Sequence, residues 1–421
     1  MDKLTLRELA IPMIKSIDSF NYLLKSHHRR TAVIAYHIGM KMGLPKESLF
    51  NLVTAAALHD IGALSVQERN MLVQKDVENP KPHCVMGQRM LASFAPFKTI
   101  SDIIKHHHIK YEDSLNMPEV EVPFESHIIH LADRIDILIS PDEFILNQKQ
   151  PVTAHIRDKV GAIFHPEVFD AFDAAAKSDI FWIEINNLEI EQLFKRIDFS
   201  ANFVLTVDRV LDFALVMSRI IDFRSKFTVS HSYTVAHLAA LIGSFLGFSE
   251  EKCKKLMAAG YLHDIGKIGI DPGIVEKNGA LTDEEFNQMK LHTYYTGQIL
   301  NELTTSEWFR EIVTWAERHH EKPDGTGYPY ALTDESLDDG MKVIAYSDVI
   351  SALMEDRPYR KGGTMEEAFD IIRNSKLLGI SPTIFGIIEE HSEEINAMVQ
   401  NCREIKYQEY RMGIAGECSP A

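Results

Sequence analysis

A chain of 421 residues with 45% apolar and 25% charged side chains has the composition of a soluble globular protein, long enough for two or three domains that each bury a core. Its formal net charge of −17 argues against a non-specific binder of nucleic-acid polymers, so an anionic ligand must be attracted locally, by metal ions or a few arginines and lysines. Cys84, Cys253, Cys402 and Cys418 are scattered with no CxxC pair, which argues against a disulfide framework or a cysteine zinc site and for a reducing, cytoplasmic setting.

In chain order, the opening "MDKLTLRELAIPMIKSIDSF" carries charges throughout and lacks the apolar core of a signal peptide. "FWIEINNLEIEQLFKRIDF" (181–199) holds Phe181, Trp182, Ile185, Leu188, Ile190, Leu193 and Phe194 at partly helical spacing and reads as a packed joint between two halves. The most apolar segment, Asn202–Phe223, is interrupted by Asp208, Arg209, Asp212 and Arg219, too many charges for a membrane span. Late in the chain, "EEAFDIIRNSKLLGI" (366–380) repeats Ala368, Ile371, Ile372 and Leu378 at helical spacing. Period-two runs bounded by turn pairs are nearly absent, and the expected fold class is all-α.

The chain also repeats itself. His27 and His59 are 32 residues apart, as are His231 and His263, and each second histidine is followed by aspartate, Asp60 and Asp264. Both copies then place a histidine before a short glycine-containing turn, "HCVMGQRML" at His83 and "HTYYTGQIL" at His292. A histidine cluster follows in each, "IIKHHHIK" around His107 and "AERHHEKP" with His319 and His320. An apolar helix with one early aspartate closes each, "HLADRIDIL" with Asp133 and "IAYSDVISAL" with Asp348. Five matches in one order predict two homologous helical domains, residues 1–190 and 201–421.

In the second copy, His231, His263, Asp264, His292, His319, His320 and Asp348 combine imidazoles and carboxylates, donors that suit iron, manganese or zinc. An adjacent His–Asp pair can serve two ions, the aspartate bridging while the histidine binds one. Two nearby ions lower the pKa of a shared water and stabilise both entering and leaving oxygens at phosphorus, which predicts a phosphohydrolase. Lys267 follows Asp264 by three residues, so a continuing helix puts it on the same face, placed to orient the nucleophile, neutralise a phosphate oxygen or protonate the leaving group.

The order His…HD…His…HH…Asp resembles the HD superfamily of metal-dependent phosphohydrolases. "HDIGKIGI", "HHEKPDGTGYP" and "SDVISALMEDRPYR" together are similar to its HD-GYP branch, the cyclic dinucleotide phosphodiesterases. The likeness covers about 200 C-terminal residues closely and the first half as a degenerate copy. It implies that Asp264 and Lys267 serve catalysis, that "DGTGYP" is a loop at the pocket rim with Tyr328 on the substrate, and that Arg357 and Arg360 grip its phosphates and bases. The implied substrate is cyclic di-GMP or 3′3′-cyclic GMP–AMP, which some tandem-HD members hydrolyse, opened to a linear dinucleotide. Pro323 stands where an aromatic often precedes the loop aspartate, and Phe227 stands where some relatives carry a third-metal glutamate. Two divalent ions are therefore expected, iron or manganese first, with zinc, nickel, magnesium or calcium as substitutes in a crystal, and the expectation tilts toward the hybrid ring.

In the first copy, His27, His59, Asp60, His83, His107 and Asp133 could still hold metal, but Ala63 replaces the lysine and nothing resembles "DGTGYP". A supporting or regulatory domain is expected there. Further expectations are no membrane contact, no nucleic-acid polymer, and a homodimer or signalling partner engaged through the second domain. The competing readings are a non-catalytic signalling scaffold and a nucleotide phosphohydrolase outside the GYP branch.

Overall fold

The computed structural model describes residues 3–18, 26–63, 81–117, 119–199, 202–204, 206–222, 230–356 and 361–415. They form an all-α protein in two compact units, residues 5–201 and residues 202–421 joined by residues 1–4. The described strands are two three-residue pieces, β1 (Lys3–Thr5) and β2 (Asn202–Val204), which pair with each other.

In the N-terminal unit, α1 (Leu6–Asp18), α2 (His27–Lys41), α3 (Lys46–Leu58), α4 (Lys81–Ala92), α5 (Lys98–Lys105) and α6 (Phe124–Leu138) are followed by α7 (Pro166–Ala176), α8 (Asp179–Asn187) and α9 (Ile190–Ile197). Helix α2 is central, packed on α3, α6, α7 and α8. The apolar stretch expected to be a joint is part of this unit's own core. Phe181, Trp182, Ile185, Leu188, Ile190, Leu193 and Phe194 are all buried, because α8 and α9 lie against α2. The Trp182 indole N–H donates to the Ala176 carbonyl at 2.9 Å, so the ring is buried without an orphaned donor.

The C-terminal unit contains α10 (Val207–Asp222), α11 (His231–Phe245), α12 (Glu250–Leu262), α13 (Asp283–Met289), α14 (Leu291–Leu300), α15 (Glu307–Glu317), α16 (Asp339–Met354), α17 (Met365–Arg373), α18 (Pro382–Glu390) and α19 (Ser392–Ala415). Helix α11 packs on α12, α16 and α19, and α14 packs on α15 and on the tight turn that follows α12. Side chains cap the starts: Ser249 for α12, Asp338 for α16, and full capping boxes Thr282/Glu285 and Thr364/Glu367 for α13 and α17.

Four local expectations change. Both "HCVMGQRML" and "HTYYTGQIL" are helical, in α4 and α14, with no turn. Their glycines answer close packing: a Cβ on Gly87 would lie 3.0 Å from the Ile104 side chain, and one on Gly297 would lie 2.3 Å from the Glu317 carboxylate. Asp133 and Asp348 sit in the second half of α6 and α16, each preceded by two turns of largely buried helix. The helix in 366–380 stops at Arg373 and continues as a 3₁₀ segment, Lys376–Ile380, with Ala368 and Ile372 buried but Ile371 exposed. Lastly, α12 ends at Leu262 and Ile265–Gly269 is a 3₁₀ turn, so Lys267 does not lie on a continuing α-helix.

Candidate metal centres

In the C-terminal unit, α12 delivers the HD doublet at its C-terminus, α11 delivers His231 as its first residue, α14 brings His292, the end of α15 brings His319 and His320, and α16 brings Asp348. Asp264 sits at the middle with its two oxygens facing different groups. Its Oδ2 lies 3.5 Å from His231 Nε2 and 3.3 Å from His263 Nε2, while Oδ1 lies 3.6 Å from His292 Nε2. Asp348 Oδ1 joins the first group, 3.2 Å from His231 Nε2 and 3.8 Å from His263 Nε2. On the other side, His292, His319 and His320 bring three ring nitrogens within 4.8 Å of one another.

The rings are oriented from behind. Nδ1–H of His263, His292 and His319 donates to the carbonyl three residues earlier, Gly260, Met289 and Ala316, at 2.8, 2.6 and 2.7 Å. That turns each Nε2 lone pair inward. Burial holds His292 down at about 3 and His320 at about 4, so both rings are neutral and able to ligate at neutral pH. Burial also raises the cost of an ionised Asp264, but His263 and Lys267 outweigh it and hold the carboxyl well below the usual range. The buried Nε2 atoms of His231 and His263 and Oδ1 of Asp264 have no hydrogen-bond partner among the described residues. Orphaned acceptors at the focus of a buried polar cluster are costly unless a cation completes them, so the donor set fits bound metal.

Lys267 reaches the doublet despite the changed helix. In a 3₁₀ turn side chains three apart eclipse, and Lys267 Nζ meets Asp264 Oδ2 at 2.5 Å. Gly266 is required at this turn: its N–H donates to Thr296 Oγ1, which donates to the His263 carbonyl, and a Cβ would stand 1.9 Å from the His292 carbonyl oxygen.

The loop after His320 is held by the acid that follows it. Glu321 is buried and accepts from the N–H groups of Tyr330 and Leu332 at 2.6 and 2.9 Å. Gly325 is left-handed at φ 73°, and Gly327 lies against the backbone of Glu321 and Lys322, where a Cβ would come within 2.4 Å of an amide nitrogen. This places the Tyr328 ring 4.9 Å from His320 and 6.2 Å from the exposed Phe286 of α13, with Lys290 Nζ over both aromatics. Arg357, Arg360 and Phe227, and the expectations attached to them, lie outside the described residues.

The N-terminal unit repeats the geometry. Asp60 Oδ2 faces His59 Nε2 at 3.3 Å and His27 Nε2 at 4.0 Å, and Oδ1 faces His83 at 3.4 Å and His107 at 3.8 Å. Asp133 Oδ1 is 3.5 Å from His27 Nε2. His59 and His107 donate Nδ1–H to Ala56 and Ile104 at 2.8 and 2.6 Å, as their counterparts do. Burial alone would lower His59, yet Asp60 pushes it up to about 9, while burial puts His107 and His108 well below the ordinary histidine value. His108 completes a group with Asp60, His83 and His107. Three successive histidines at 106–108 signalled it without resolving which two point inward. Glu321, Phe286 and Lys290 were also missed, as were Glu355 and Asp136, taken up below. Each is a lone residue whose role depends on packing across elements.

Residues 24–138 and residues 215–384 each match the HD domain. The chain is 26% identical over 406 residues to the 3′3′-cGAMP-specific phosphodiesterase 1 of Vibrio cholerae, an alignment covering 92% of each chain. It is 37% identical over 134 residues to the cyclic di-GMP phosphodiesterase response regulator RpfG of Xanthomonas campestris pv. campestris, 32% of this chain and 35% of that one. Among solved structures, the cyclic GMP-AMP specific phosphodiesterase V-cGAP3 of V. cholerae superposes with a TM-score of 0.62 over 93% of this chain and 98% of its own, at 20% identity, a likeness of fold. With an HD domain in each unit and the GYP-bearing loop in the second, the chain belongs to the HD-GYP family.

Proposed function

We propose that the C-terminal unit is a metal-dependent phosphodiesterase that opens the ring of a cyclic dinucleotide, 3′3′-cyclic GMP–AMP or cyclic di-GMP, to the linear dinucleotide. The observation that carries this is Asp264, whose two oxygens face two separate ligand groups while Lys267 caps Oδ2. His231, His263, Asp264 and Asp348 would hold one divalent ion and Asp264, His292, His319 and His320 the other, iron or manganese by donor type. Such ions supply Lewis acidity toward a phosphoryl oxygen and lower the pKa of a water molecule. Lys267 places a positive charge where negative charge grows at phosphorus or on the departing oxygen. Tyr328 and Phe286 offer aromatic faces for a base, and Lys290 a cation for a phosphate beside them. No described helix is long and apolar enough to cross a membrane.

The test loads the full chain with manganese or iron, incubates it with each ring separately and resolves the products by chromatography. Linear dinucleotide from either ring supports the assignment, and two intact rings overturn it.

We read the N-terminal unit as a domain that holds ions through His27, His59, Asp60, His83, His107, His108 and Asp133 without turnover. It keeps the ligands, yet Ala63 stands in the lysine's place and no Gly-rich loop follows the cluster. Elemental analysis of full-length Asp264→Asn should still find metal, which Asp60→Asn in addition should remove.

A further inference from the structure

In both units, the first histidine of the centre is supported differently from five of its companions. His263, His292 and His319 rest on backbone carbonyls, and so do His59 and His107. His27 and His231 instead present Nδ1 to a carboxylate. For His27 this is Asp136 Oδ2 at 2.7 Å, three residues after the ligand Asp133 on the same helix and held in place by Arg30. The equivalent position in the C-terminal unit, three after Asp348, is Ser351. There the carboxylate comes from Glu355, one further turn along at the C-cap of α16, with Oε2 3.0 Å from His231 Nδ1. Its other oxygen accepts from Ser351 Oγ at 3.2 Å and Ser230 Oγ at 3.3 Å. His231 and Glu355 are 3% and 2% exposed, so little solvent competes for the contact.

We propose that Glu355 is the positioning residue of the C-terminal centre, supplying from a new position the carboxylate that Asp136 supplies in the N-terminal unit. The proposal rests on the metal-centre assignment above. A carboxylate behind the ring fixes the proton on Nδ1 and aims the Nε2 lone pair at the ion, and it makes the ring a stronger donor. It also adds negative charge to one half only. The half built by His231, His263, Asp264 and Asp348 has three carboxylates in or directly behind it. Among the described residues, the half built by His292, His319 and His320 has only the shared Asp264 within 4 Å, with Asp348 acting on His319 and His320 from farther off. The two ions are therefore held unequally, and Glu355 accounts for part of the difference. Ser351 touches both partners, with Oγ 3.3 Å from His231 Nδ1, so a carboxylate grafted there stands within reach of the same nitrogen.

The experiment compares wild type, Glu355→Ala, Glu355→Gln and the double variant Ser351→Asp/Glu355→Ala, all full length. The readouts are manganese retained per chain after desalting, the manganese concentration that half-saturates ring opening, and unfolding of the metal-free protein. Outer partners of metal-bound histidines are typically worth about 10–100-fold in metal affinity or activity. Glu355→Ala should lose one retained ion and need that much more manganese, and the double variant should recover the ion. Glu355→Gln keeps size and an acceptor but no charge, and should shift in the same direction if Glu355→Ala does not fold. Wild-type retention and half-saturation in both single variants overturn the proposal, as does a folded double variant that recovers nothing. If wild type opens neither ring, the phosphodiesterase assignment fails while the retained-ion comparison still decides the role of Glu355.

Discussion

Replacing Gly266 by alanine adds one methyl group between the HD doublet and α14. The new Cβ would lie 1.9 Å from the carbonyl oxygen of His292 and 2.4 Å from the amide nitrogen of Thr296, where ordinary contact begins near 3.4 Å. Both obstacles are backbone, so no rotamer change relieves them, and α14 must retreat by about 1.5 Å. His292 is the second residue of α14, and its Nε2 already stands 3.6 Å from Asp264 Oδ1. Misplacement of about 1 Å costs on the order of 10²-fold in rate, and overpacking costs about 1–3 kcal/mol of stability. Gly266→Ala should therefore turn over at least about 100-fold more slowly and retain less metal while remaining folded. The control is Gly62→Ala, whose Cβ would meet His83 O at 2.1 Å and Gly87 N at 2.4 Å in the other unit. It should lose comparable stability and keep its rate within a few-fold. Steady-state rates on the ring, elemental analysis and thermal unfolding of both proteins make the comparison. A Gly266→Ala enzyme with full ion content and a rate near wild type would refute the link from close packing to ligand placement.

Lys267→Ala should keep its ions and lose about 10²–10⁴-fold in rate; loss of the ions would show that the lysine supports the centre instead. Asp222 is buried, which pushes its carboxyl up to about 8 although Ser232 donates to it. A group whose folded pKa is raised binds its proton more tightly in the folded state, so stability declines as pH rises from the usual carboxylate range through about 8, by on the order of 1 kcal/mol per unit. Unfolding temperatures of metal-free protein should fall less steeply between about pH 6 and 8 in Asp222→Asn than in wild type, and identical slopes would contradict the raised value. A first-unit fragment ending at 190 drops the buried Leu193, Phe194 and Ile197, each worth about 1.5–3 kcal/mol, so it should melt well below one ending at 201 in a thermal scan.

The candidate ligand set was readable because metal chemistry restricts residue type and because the duplication wrote the same order twice. His231, His263, Asp264, His292, His319, His320 and Asp348 do converge, as do six residues of the first copy. What was not readable depended on which face a residue presents after folding. Glu321 carried no signal of its own beside the histidine pair, and its carboxylate turns to two loop amides. The apolar run at 181–199 has the composition of any packed surface, and sequence does not say which core it packs into. Glu355 gave no signal because its partner, His231, is 124 residues away.

Glu321 is bonded covalently to His320 and by hydrogen bonds to the far end of the loop, leaving the tip between Pro323 and Pro329 outside that clamp. The clamp is made of main-chain amides and Gly327 and does not use the Tyr328 side chain. The tip is braced separately by the Asp324 carboxylate, which accepts from the N–H and the hydroxyl of Thr326 at 3.0 and 2.6 Å. The residue that fixes the loop's ends, Glu321, is thus separate from the aromatic the loop presents, Tyr328, and variants confined to position 328 change the presented face while leaving the clamp in place.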